Sequence, residues 1–255
     1  MTVWQSPPNR IFLGKEVIHI WRANLDLSSA QIARLHSILS TDEIIRAERF
    51  RFEQHKKRFI AARGILRKLL SQYLEVNPKN LEFRYGERGK PELADAFKAN
   101  DLQFNLSHSQ ELALFGFANY ARIGVDIEHL KQMPEATKIA QRFFTPQEFM
   151  LVRDLVGIKQ TQMFFRLWTA KEAYLKALGT GLSGTLSSFN IELHSNGRIS
   201  LSNTKGGADA TAKWFMCSCV PTSNYIGAIA VNTNMNKEQI CFWNFDSNLL
   251  LDNFQ

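Results

Sequence analysis

The stretch FIAARGILRKLLSQYL (residues 59–74) has the clearest helical periodicity in the chain. Its large apolar side chains recur with helical spacing and form one stripe: Ile60, Leu66, Leu69, Leu70 and Tyr73. An Asn-Pro pair at positions 77 and 78 marks the end of this pattern. The sequence therefore predicts a long helix with one buried side.

Strand-like runs surround this helix. EVIHIWRANL (16–25) alternates like a strand, and STDEIIRAERFRF (40–52) opens as a capped helix. Four more runs follow the long helix and are separated by turn residues: LEFRYGERGKPEL (81–93), LQFNLSHS (102–109), ELALFGFA (111–118) and RIGVDIEHL (122–130). This order is typical of helices packed on one side of antiparallel sheets.

The second part of the chain repeats this order of elements. A shift of 108 positions aligns the helices at four places: Ala62 with Ala170, Arg63 with Lys171, Lys68 with Lys176, and Leu70 with Leu178. The same shift aligns a strand-turn-strand: Gly89 with Gly197, Lys90 with Arg198, and Leu93 with Leu201. We predict an α+β fold of two pseudo-symmetric halves, residues 1–120 and 121–255, each a small antiparallel sheet packed on a long helix.

The composition is that of a folded protein, since 45% of the residues are hydrophobic and 11% are aromatic. The N-terminal residues lack the apolar run of a signal peptide, and no stretch is long and apolar enough to span a membrane. We therefore expect a cytoplasmic protein with no membrane partner. Cys217, Cys219 and Cys241 are too few for a disulfide framework or a four-ligand zinc site, and we interpret them as buried strand residues.

Positive charge is concentrated in residues 46–68, which hold nine Lys or Arg against two Glu. This excess of seven equals the net charge of the whole chain, which is +7 at pH 7. Such a segment is either a solvated helix face or a surface for phosphate groups, nucleic acid or an acidic protein.

Three carboxylates lie in two other segments. Asp126 and Glu128 are two apart in a strand-like run, so their side chains project from the same face. Glu172 and Lys176 are four apart in WTAKEAYLKALGTGL (168–182) and share a helix face. An exposed strand edge and a surface ion pair explain each segment alone. Taken together, the three carboxylates form an all-oxygen set that favours Mg²⁺ bound with substrate phosphates.

A phosphate-containing ligand would have to be held by side chains, because the chain has neither a Walker-type loop nor a dinucleotide fingerprint. The candidates are Arg46, Arg63, Lys90, His108, Lys171 and Lys176. For His108 the alternative is a turn histidine bonded to the backbone.

Four segments resemble, in order and spacing, the motifs of the large, two-lobed 4'-phosphopantetheinyl transferases of the surfactin-synthetase-activator type. They are GKPEL (89–93), FNLSHS (104–109), GVDIE (124–128) and WTAKEAYLKALGTGL (168–182), with FFTPQE (143–148) between the last two. The resemblance extends from about residue 39 to residue 189, and its most specific part is the pair formed by GVDIE and W-x-x-K-E-A-x-x-K. It implies two pseudo-symmetric α+β halves with the active site in the cleft between them.

The resemblance also implies three sets of site residues. Those around Mg²⁺, on the pyrophosphate of coenzyme A, are Asp126, Glu128 and Glu172. Those near the phosphates are Lys176 and His108, with Ser107 and Lys171 in the same motifs. Those at the nucleotide end are Lys90 and Arg46, to which we add Arg63 on electrostatic grounds for the 3'-phosphate. Some relatives have a basic residue ahead of the Arg46 position, where this chain has Glu43, so the detailed 3'-phosphate contacts stay open.

The family transfers 4'-phosphopantetheine from coenzyme A to a serine hydroxyl of an acidic carrier protein and releases 3',5'-ADP. By this resemblance we expect the same reaction here, with Glu172 as first choice for the base and Lys176 stabilising or protonating the departing phosphate. We expect a monomer without a nucleic-acid partner. The alternatives are a Mg²⁺-dependent nuclease, a nucleic-acid-binding module that uses residues 46–68, and an inactive relative that only binds carriers. The pathway, fatty-acid synthesis or a secondary one, stays open.

Overall fold

The computed structural model describes residues 2–86, 89–179, 186–202 and 213–247. Within these residues six α-helices form: α1 (Ser29–His36), α2 (Thr41–Glu48), α3 (Glu53–Leu74), α4 (Ala136–Phe143), α5 (Pro146–Arg153) and α6 (Gly157–Leu178). The strands of the first half are β1 (Ile18–Asn24), β2 (Phe83–Tyr85), β3 (Pro91–Leu93), β4 (Leu102–Ser109) and β5 (Leu112–Asn119). The later strands are β6 (Ile123–His129), β7 (Asn190–Leu193), β8 (Arg198–Ser202), β9 (Phe215–Cys219), β10 (Tyr225–Val231) and β11 (Ile240–Asn244). The glycine-rich end of the 168–182 motif, from residue 180 onward, lies outside the described residues.

The first half is a four-stranded sheet in the order β11-β1-β5-β4, covered by α3. Strands β1, β5 and β4 are antiparallel neighbours, whereas β11 runs parallel to β1. The predicted stripe of α3 is buried in a core with one face of β1 and β5. Tyr73, the last residue of the stripe, accepts a hydrogen bond from Trp21 Nε1 at 2.8 Å. The long-helix prediction is confirmed, and the helix begins six residues earlier than the quoted stretch.

The second half is a five-stranded antiparallel sheet in the order β6-β10-β9-β8-β7, covered by α6. Helix α6 lies directly on β6 and β10. The approach is so close at Gly124 that a Cβ placed there would lie 2.0 Å from the carbonyl oxygen of Ala173 and 2.5 Å from the amide nitrogen of Ala177. Glycine at this position therefore sets the distance between β6 and α6.

The two halves repeat each other, but with two different shifts. In the hairpins β2–β3 and β7–β8, Phe83 pairs with Leu93 and Ile191 pairs with Leu201, so the shift of 108 holds. Helices α3 and α6 both have 22 residues, yet their bounds differ by 104. The chain between each helix and the next 3-10 turn is four residues longer in the second half, since the turns begin at Pro78 and Leu186. The alignment of Arg63 with Lys171 was therefore wrong, and Arg67 is the counterpart of Lys171.

The halves meet along the edges of their two sheets. Strand β4 ends one sheet and β6 ends the other. These two described strands are not joined by a backbone ladder. Side chains of β4 bridge them instead: the Val125 N–H donates to Asn105 Oδ1 at 2.8 Å, and the His129 N–H donates to Ser109 Oγ at 3.1 Å. Behind these bridges lies an apolar core shared by both sheets. The boundary at residues 120 and 121 stays a prediction, and β11 crosses back from the second half to pair with β1.

The basic segment 46–68 is less exposed than its sequence indicates. Three of its nine cations are buried and paired with carboxylates: Arg58 with Asp26, and both Arg63 and Arg67 with Glu43. These ion pairs join α3 to neighbouring segments in the interior of the fold. The surface charge of the segment therefore comes from its remaining cations, Arg46, Arg49 and Arg51 among them.

Cys217 and Cys219 are buried in β9 as predicted, and Cys241 is half-buried on β11. Among the described helices, none combines the length and the apolar composition that crossing a bilayer requires.

Candidate active site

The carboxylates of β6 lie where the two sheets meet, on the face that α6 covers. Asp126 and Glu128 are opposite Ala228 and Ile226 of β10, which belong to the α6 core. The apolar residues that alternate with them, Val125 and Ile127, point into the core shared by the two sheets. The predicted separation of the two faces is confirmed. Asp126 is buried, so the pair is not an exposed strand edge.

Strand β4 supplies a hydroxyl to each carboxylate. Ser107 Oγ donates to Asp126 Oδ1 at 2.9 Å, and Ser109 Oγ donates to Glu128 Oε2 at 3.0 Å. These two serines are two residues apart, as the two carboxylates are, so β4 and β6 stay in register across the cleft. Ser109 and Asn105 were missed from the sequence. Their alternation with Ser107 in FNLSHS was the available signal.

Helix α6 brings Lys176 and Glu172 to the same place. Lys176 Nζ donates to Asp126 Oδ1 at 2.6 Å and to Ser107 Oγ at 2.8 Å. One N–H of this ammonium group has no recorded acceptor among the described residues. Glu172 lies one turn earlier and is buried. The surface ion pair between Glu172 and Lys176, the alternative for this segment taken alone, does not form, because Lys176 is bound to Asp126 instead.

Burial and neighbouring negative charge raise the pKa of two of the three carboxylates, Glu172 and Glu128. Burial, followed by the charges of Asp126 and Glu128, raises the pKa of Glu172 to about 7, although Lys176 opposes the shift. Burial and the charge of Asp126 also raise the pKa of Glu128. Two buried oxygens in this group, Asp126 Oδ2 and Glu172 Oε1, have no hydrogen-bond donor in the described part of the chain. A buried acceptor without a donor is costly, so these two oxygens are suited to a cation.

Basic groups from the first half line one side of the carboxylates. Lys90 Nζ, at the start of the β3 segment, donates to the backbone carbonyl of Lys176 at 2.7 Å. Burial lowers the pKa of Lys90. Arg46 lies over the ring of Tyr85, and its Nη2 would be 3.9 Å from a Cβ at Gly89. Desolvation and the charge of Lys176 lower the pKa of His108, which follows Ser107 on β4. Lys90 thus contacts the end of α6 at Lys176, His108 is close enough to be affected by the Lys176 charge, and Arg46 lies beside the β2–β3 turn.

Two predicted ligands do not reach the cleft. Arg63 is buried against Glu43 and donates to Tyr85 Oη at 3.1 Å. Lys171 is fully buried on the opposite side of α6 and is bonded to Glu148 and to two backbone carbonyls. Glu43, which stands where some relatives have a basic residue, is a fully buried capping residue of α2.

A cavity of about 410 Å³ lies beside α6. Leu130, two residues beyond Glu128 on the chain, lines it together with Met163 and Ile226, and Lys159 and Arg166 contribute positive charge. Ile226 is the register partner of Glu128, so the cavity begins beside that residue.

Comparison with known families gives two consecutive matches. Residues 122–230 match the 4'-phosphopantetheinyl transferase superfamily, and residues 24–117 match the 4'-phosphopantetheinyl transferase N-terminal family. The two matches meet close to the predicted boundary between the halves.

Individual relatives agree with these matches. The chain is similar to 4'-phosphopantetheinyl transferase HetI of Nostoc sp., with 44% identity over 228 residues, which cover 89% of this chain and 92% of the relative. It is similar to 4'-phosphopantetheinyl transferase Sfp of Bacillus subtilis, with 32% identity over 69% of this chain and 75% of the relative. A crystal structure of holo-[acyl-carrier-protein] synthase from Neisseria meningitidis aligns with 44% of this chain and 97% of its own at 21% identity and a TM-score of 0.36, a likeness too small to carry an argument.

Proposed function

The chain belongs to the 4'-phosphopantetheinyl transferases, enzymes that act on carrier proteins, and we propose that it takes the 4'-phosphopantetheine group from coenzyme A, with Mg²⁺, and attaches it to a serine of an acidic carrier. The observation that carries the proposal is the meeting of Asp126, Glu172 and Lys176 at the junction of the two sheets, where two carboxylate oxygens have no donor within the described part of the chain.

The cations around the carboxylates support a pyrophosphate substrate. Two N–H groups of Lys176 are bonded to Asp126 and Ser107, and the third, which has no acceptor among the described residues, can donate to a phosphate oxygen. Lys90 and His108 flank it on the side of the first half, and Arg46 lies further along, beside the β2–β3 turn. We assign the pyrophosphate to Lys176 and the adenosine 3'-phosphate to the group formed by Lys90, His108 and Arg46. Arg63 and Lys171 are not part of this assignment.

The donor chemistry of the site fits Mg²⁺, which prefers oxygen ligands and is commonly bound by one or two carboxylates together with substrate phosphates. Asp126, Glu128 and Glu172 would hold it, and the two oxygens that have no donor among the described residues would be available as ligands. Among the described residues no three Asp, Glu, His or Cys side chains are already gathered closely enough to hold a metal by themselves. Phosphate oxygens would therefore complete the shell. When bound, the ion supplies positive charge to the pyrophosphate.

The residues of the chain account for the proton transfers. The carrier serine oxygen forms a bond to the phosphorus that bears pantetheine, and the bond from that phosphorus to the bridging oxygen breaks. Glu172 accepts the serine proton on the carboxylate oxygen that is not assigned to the ion, since its pKa, about 7 in the metal-free protein, is well above that of an ordinary carboxylate. Lys176 donates a hydrogen bond to the departing 3',5'-ADP, which leaves with the bridging oxygen. Ser107 and Asp126 hold the Lys176 ammonium group in place for this step.

The surface between α2 and α3 is suited to an acidic carrier. Arg46, Arg49 and Arg51 are exposed there, and Phe50 and Phe52 expose 41% and 60% of their surface. We call these five residues the basic aromatic surface. Positive charge interleaved with aromatic rings favours a protein that presents carboxylates around an apolar patch. Nucleic acid is not assigned as a partner, because it leaves the buried carboxylates of the cleft without a role.

The test is intact-protein mass spectrometry of an apo acyl carrier protein incubated with this enzyme, coenzyme A and Mg²⁺. We expect the carrier to gain the mass of one phosphopantetheine group, and we expect EDTA to prevent the gain. A carrier whose acceptor serine is replaced by alanine is the control for the site of attachment. Transfer that continues in EDTA would remove Mg²⁺ from the proposal, and no transfer to any of several carriers would overturn the assigned reaction.

A further inference from the structure

Each half contains a buried acid-base pair that joins a short capped helix to the long helix. We call these pairs cap clamps. In the first, Glu43 of α2 binds Arg67 of α3, and in the second, Glu148 of α5 binds Lys171 of α6. Each Glu is the third residue of its helix and also closes the capping box with Ser40 or Thr145. All four charged side chains are almost completely buried.

The second cap clamp uses every donor of Lys171. Its ammonium group lies 2.9 Å from Glu148 Oε1, 2.6 Å from the carbonyl oxygen of Leu186 and 2.7 Å from that of Phe189. Glu148 is equally occupied, because it also accepts from the backbone N–H groups of Thr145 and Ile191 at 2.9 and 2.7 Å. An ammonium group has three N–H donors, so none is left for a phosphate.

The first cap clamp has the same plan with a different cation. Arg67 donates to Glu43 Oε2 at 2.6 Å and to the carbonyl oxygens of Pro78 and Leu81 at 2.8 and 2.9 Å. Pro78 and Leu81 stand 108 positions before Leu186 and Phe189, the shift that relates the two hairpins. In both halves, the cation thus hydrogen-bonds the long helix to the segment that follows it, which begins with a 3-10 turn.

Only the second long helix carries site residues. Glu172 directly follows Lys171, and Lys176 lies one turn further on. Successive side chains of a helix point about 100° apart, so a Lys171 held in the core turns Glu172 toward β6. Helix α6 and strand β6 are in close contact at Gly124, with no gap between them. A rotation of α6 would therefore move Glu172 and Lys176 relative to the carboxylates of β6.

We propose that Lys171 is a positioning residue: together with Glu148 it sets the rotation of α6 and thereby holds Glu172 and Lys176 opposite Asp126, without touching the substrate. The inference rests on the proposed function, because it concerns the residues assigned to that reaction. It reassigns the lysine that precedes the glutamate in the W-x-x-K-E-A segment from phosphate binding to the packing of the helix.

Steady-state kinetics of Lys171→Met and of the double variant Lys171→Met/Glu148→Gln test the proposal. The double variant avoids an unpaired buried carboxylate and keeps the protein folded if the single variant does not fold. We expect kcat per folded molecule to fall by about 10-fold to 100-fold, the effect of a small misplacement of catalytic groups, while KM for coenzyme A changes less than about 2-fold. Lys171→Arg should restore most of the rate, because Arg67 fills the same place in the first half.

The first cap clamp provides the matched control. Arg67→Met removes an equally buried cation from the same kind of helix, and we expect it to lower stability while kcat per folded molecule stays within about 2-fold. A rise in KM for coenzyme A of more than about 10-fold in the Lys171 variants, at constant kcat, would show a direct phosphate contact and overturn the proposal. Unchanged kcat in those variants would overturn it as well, since the pair would then serve stability alone.

Amide hydrogen exchange separates this proposal from the assigned reaction. In the double variant we expect faster exchange in residues 164–178 and unchanged exchange in α3. If the unmodified enzyme transferred nothing, the assigned reaction would be overturned. Faster exchange in α6 of the double variant would still support the role of the second cap clamp. Exchange that is unaltered in α6 would overturn that role whatever the activity.

Discussion

Asp126 is the residue on which the site converges, because its two carboxylate oxygens have different surroundings. Oδ1 accepts hydrogen bonds from Ser107 and Lys176, whereas Oδ2 is buried with no donor in the described residues. One oxygen therefore orients Lys176, and the other is available to a cation. Neither function survives if the charge is removed, although the shape of the side chain can be kept.

Asp126→Asn is expected to lower the transfer rate by about 10³-fold or more, because it removes a charge aimed at the reacting groups. Its thermal unfolding temperature should stay within a few degrees of the unmodified enzyme, because relief of repulsion with Glu128 and Glu172 offsets the weaker Lys176 contact. Transfer assays and thermal melts in the same buffer check both parts. Ser107→Ala, which keeps the charge, is the milder companion. A collapsed melting transition in Asp126→Asn would show that this residue is structural.

Glu172 makes the stability of the metal-free protein depend on pH. Its pKa rises from 4.5 to about 7 in the folded state, so the folded protein holds this proton more tightly than the unfolded chain. The resulting stabilisation is full below about pH 4.5 and is lost as the pH rises through about 7. Glu172→Gln cannot ionise and escapes this loss. We expect it to be more stable than the unmodified enzyme at pH 8 in EDTA, by about 2 to 3 kcal/mol relative to their difference at pH 5.

Urea unfolding of both proteins at pH 5 and pH 8, with EDTA throughout, measures this difference. Asp26→Asn is a useful control, because Arg58 lowers the pKa of that carboxyl, so its contribution is nearly complete above about pH 5 and its stability difference should be almost the same at both pH values. A stability difference between Glu172→Gln and the unmodified enzyme that is the same at both pH values would contradict the elevated pKa.

At the scale of elements, the contact between β6 and α6 decides whether the site forms. The main chain of α6 lies against Gly124, and any side chain there would meet backbone atoms that cannot move aside. Gly124 also begins the GVDIE motif, two residues before Asp126. The glycine therefore has a packing reason that is linked to the chemistry of the same motif.

Gly124→Ala should destabilise the protein by at least about 3 kcal/mol, the upper range for overpacking, and should abolish transfer by separating Glu172 from Asp126. Gly14→Ala is the control, because a Cβ at that position meets its nearest atom at 4.0 Å. Chemical denaturation of both variants gives the two free energies of unfolding. A Gly124→Ala enzyme with normal stability would mean that α6 does not rest on β6 as described.

The basic aromatic surface belongs to the junction of α2 and α3. Reversing two of its charges, Arg49→Glu and Arg51→Glu, should raise KM for an acidic carrier by about 10-fold or more while KM for coenzyme A stays constant, because these residues lie on the outer surface. The effect should shrink at high salt, since exposed charges are screened. The matched control is Arg142→Glu with Arg153→Glu, which reverses two exposed charges on the second half. Equal effects of both pairs on carrier KM would argue against a docking role of the α2–α3 junction.

The features that could be predicted from the sequence are those whose physical cause lies in neighbouring residues of the chain. The stripe of α3, the alternation of β6 and the hairpin glycines Gly89 and Gly197, both with positive φ, depend on neighbouring residues and were predicted. Burial of a charge is not local. Arg63, Arg67 and Lys171 read like surface cations, and only the fold brings Glu43 and Glu148 to them. The four additional residues after α6 also concealed the true helix alignment, because the hairpins matched at another shift.

At the scale of the whole molecule, the duplicated halves hold one site in the described structure. Strand β6 faces α6 with Asp126 and Glu128, whereas β1 faces α3 with Trp21 and Ala23, which are buried and apolar. The helix shift of 104 puts Lys68 at the place of Glu172. The first half therefore has a packed core where the second half has its carboxylates, and it serves the shared cleft through β4 and Lys90.

The two equivalent strands also differ in what covers their edges. Strand β6 faces β4 across the cleft, and β1 is covered by β11, which returns from the second half in parallel register from Ile18 and Ile240 to Arg22 and Asn244. An uncovered edge strand is a template for pairing with another chain. Strand β11 therefore takes the edge position of this sheet, which β1 would otherwise hold.

Ending the chain after residue 235 should therefore both destabilise the protein and allow it to associate. The truncation removes the ladder to β1 and the indole of Trp243, which packs on His19 and Trp21 with ring centroids 5.9 and 6.4 Å apart. Light scattering over a range of protein concentrations should show a monomer for the full chain and growing species for the truncated one. Trp243→Ala, which keeps the strand, should lower the melting temperature and remain monomeric. If the truncated chain stayed monomeric with an unchanged melting temperature, β11 would be an accessory strand, and closure of the fold would rest on the core between the sheets alone.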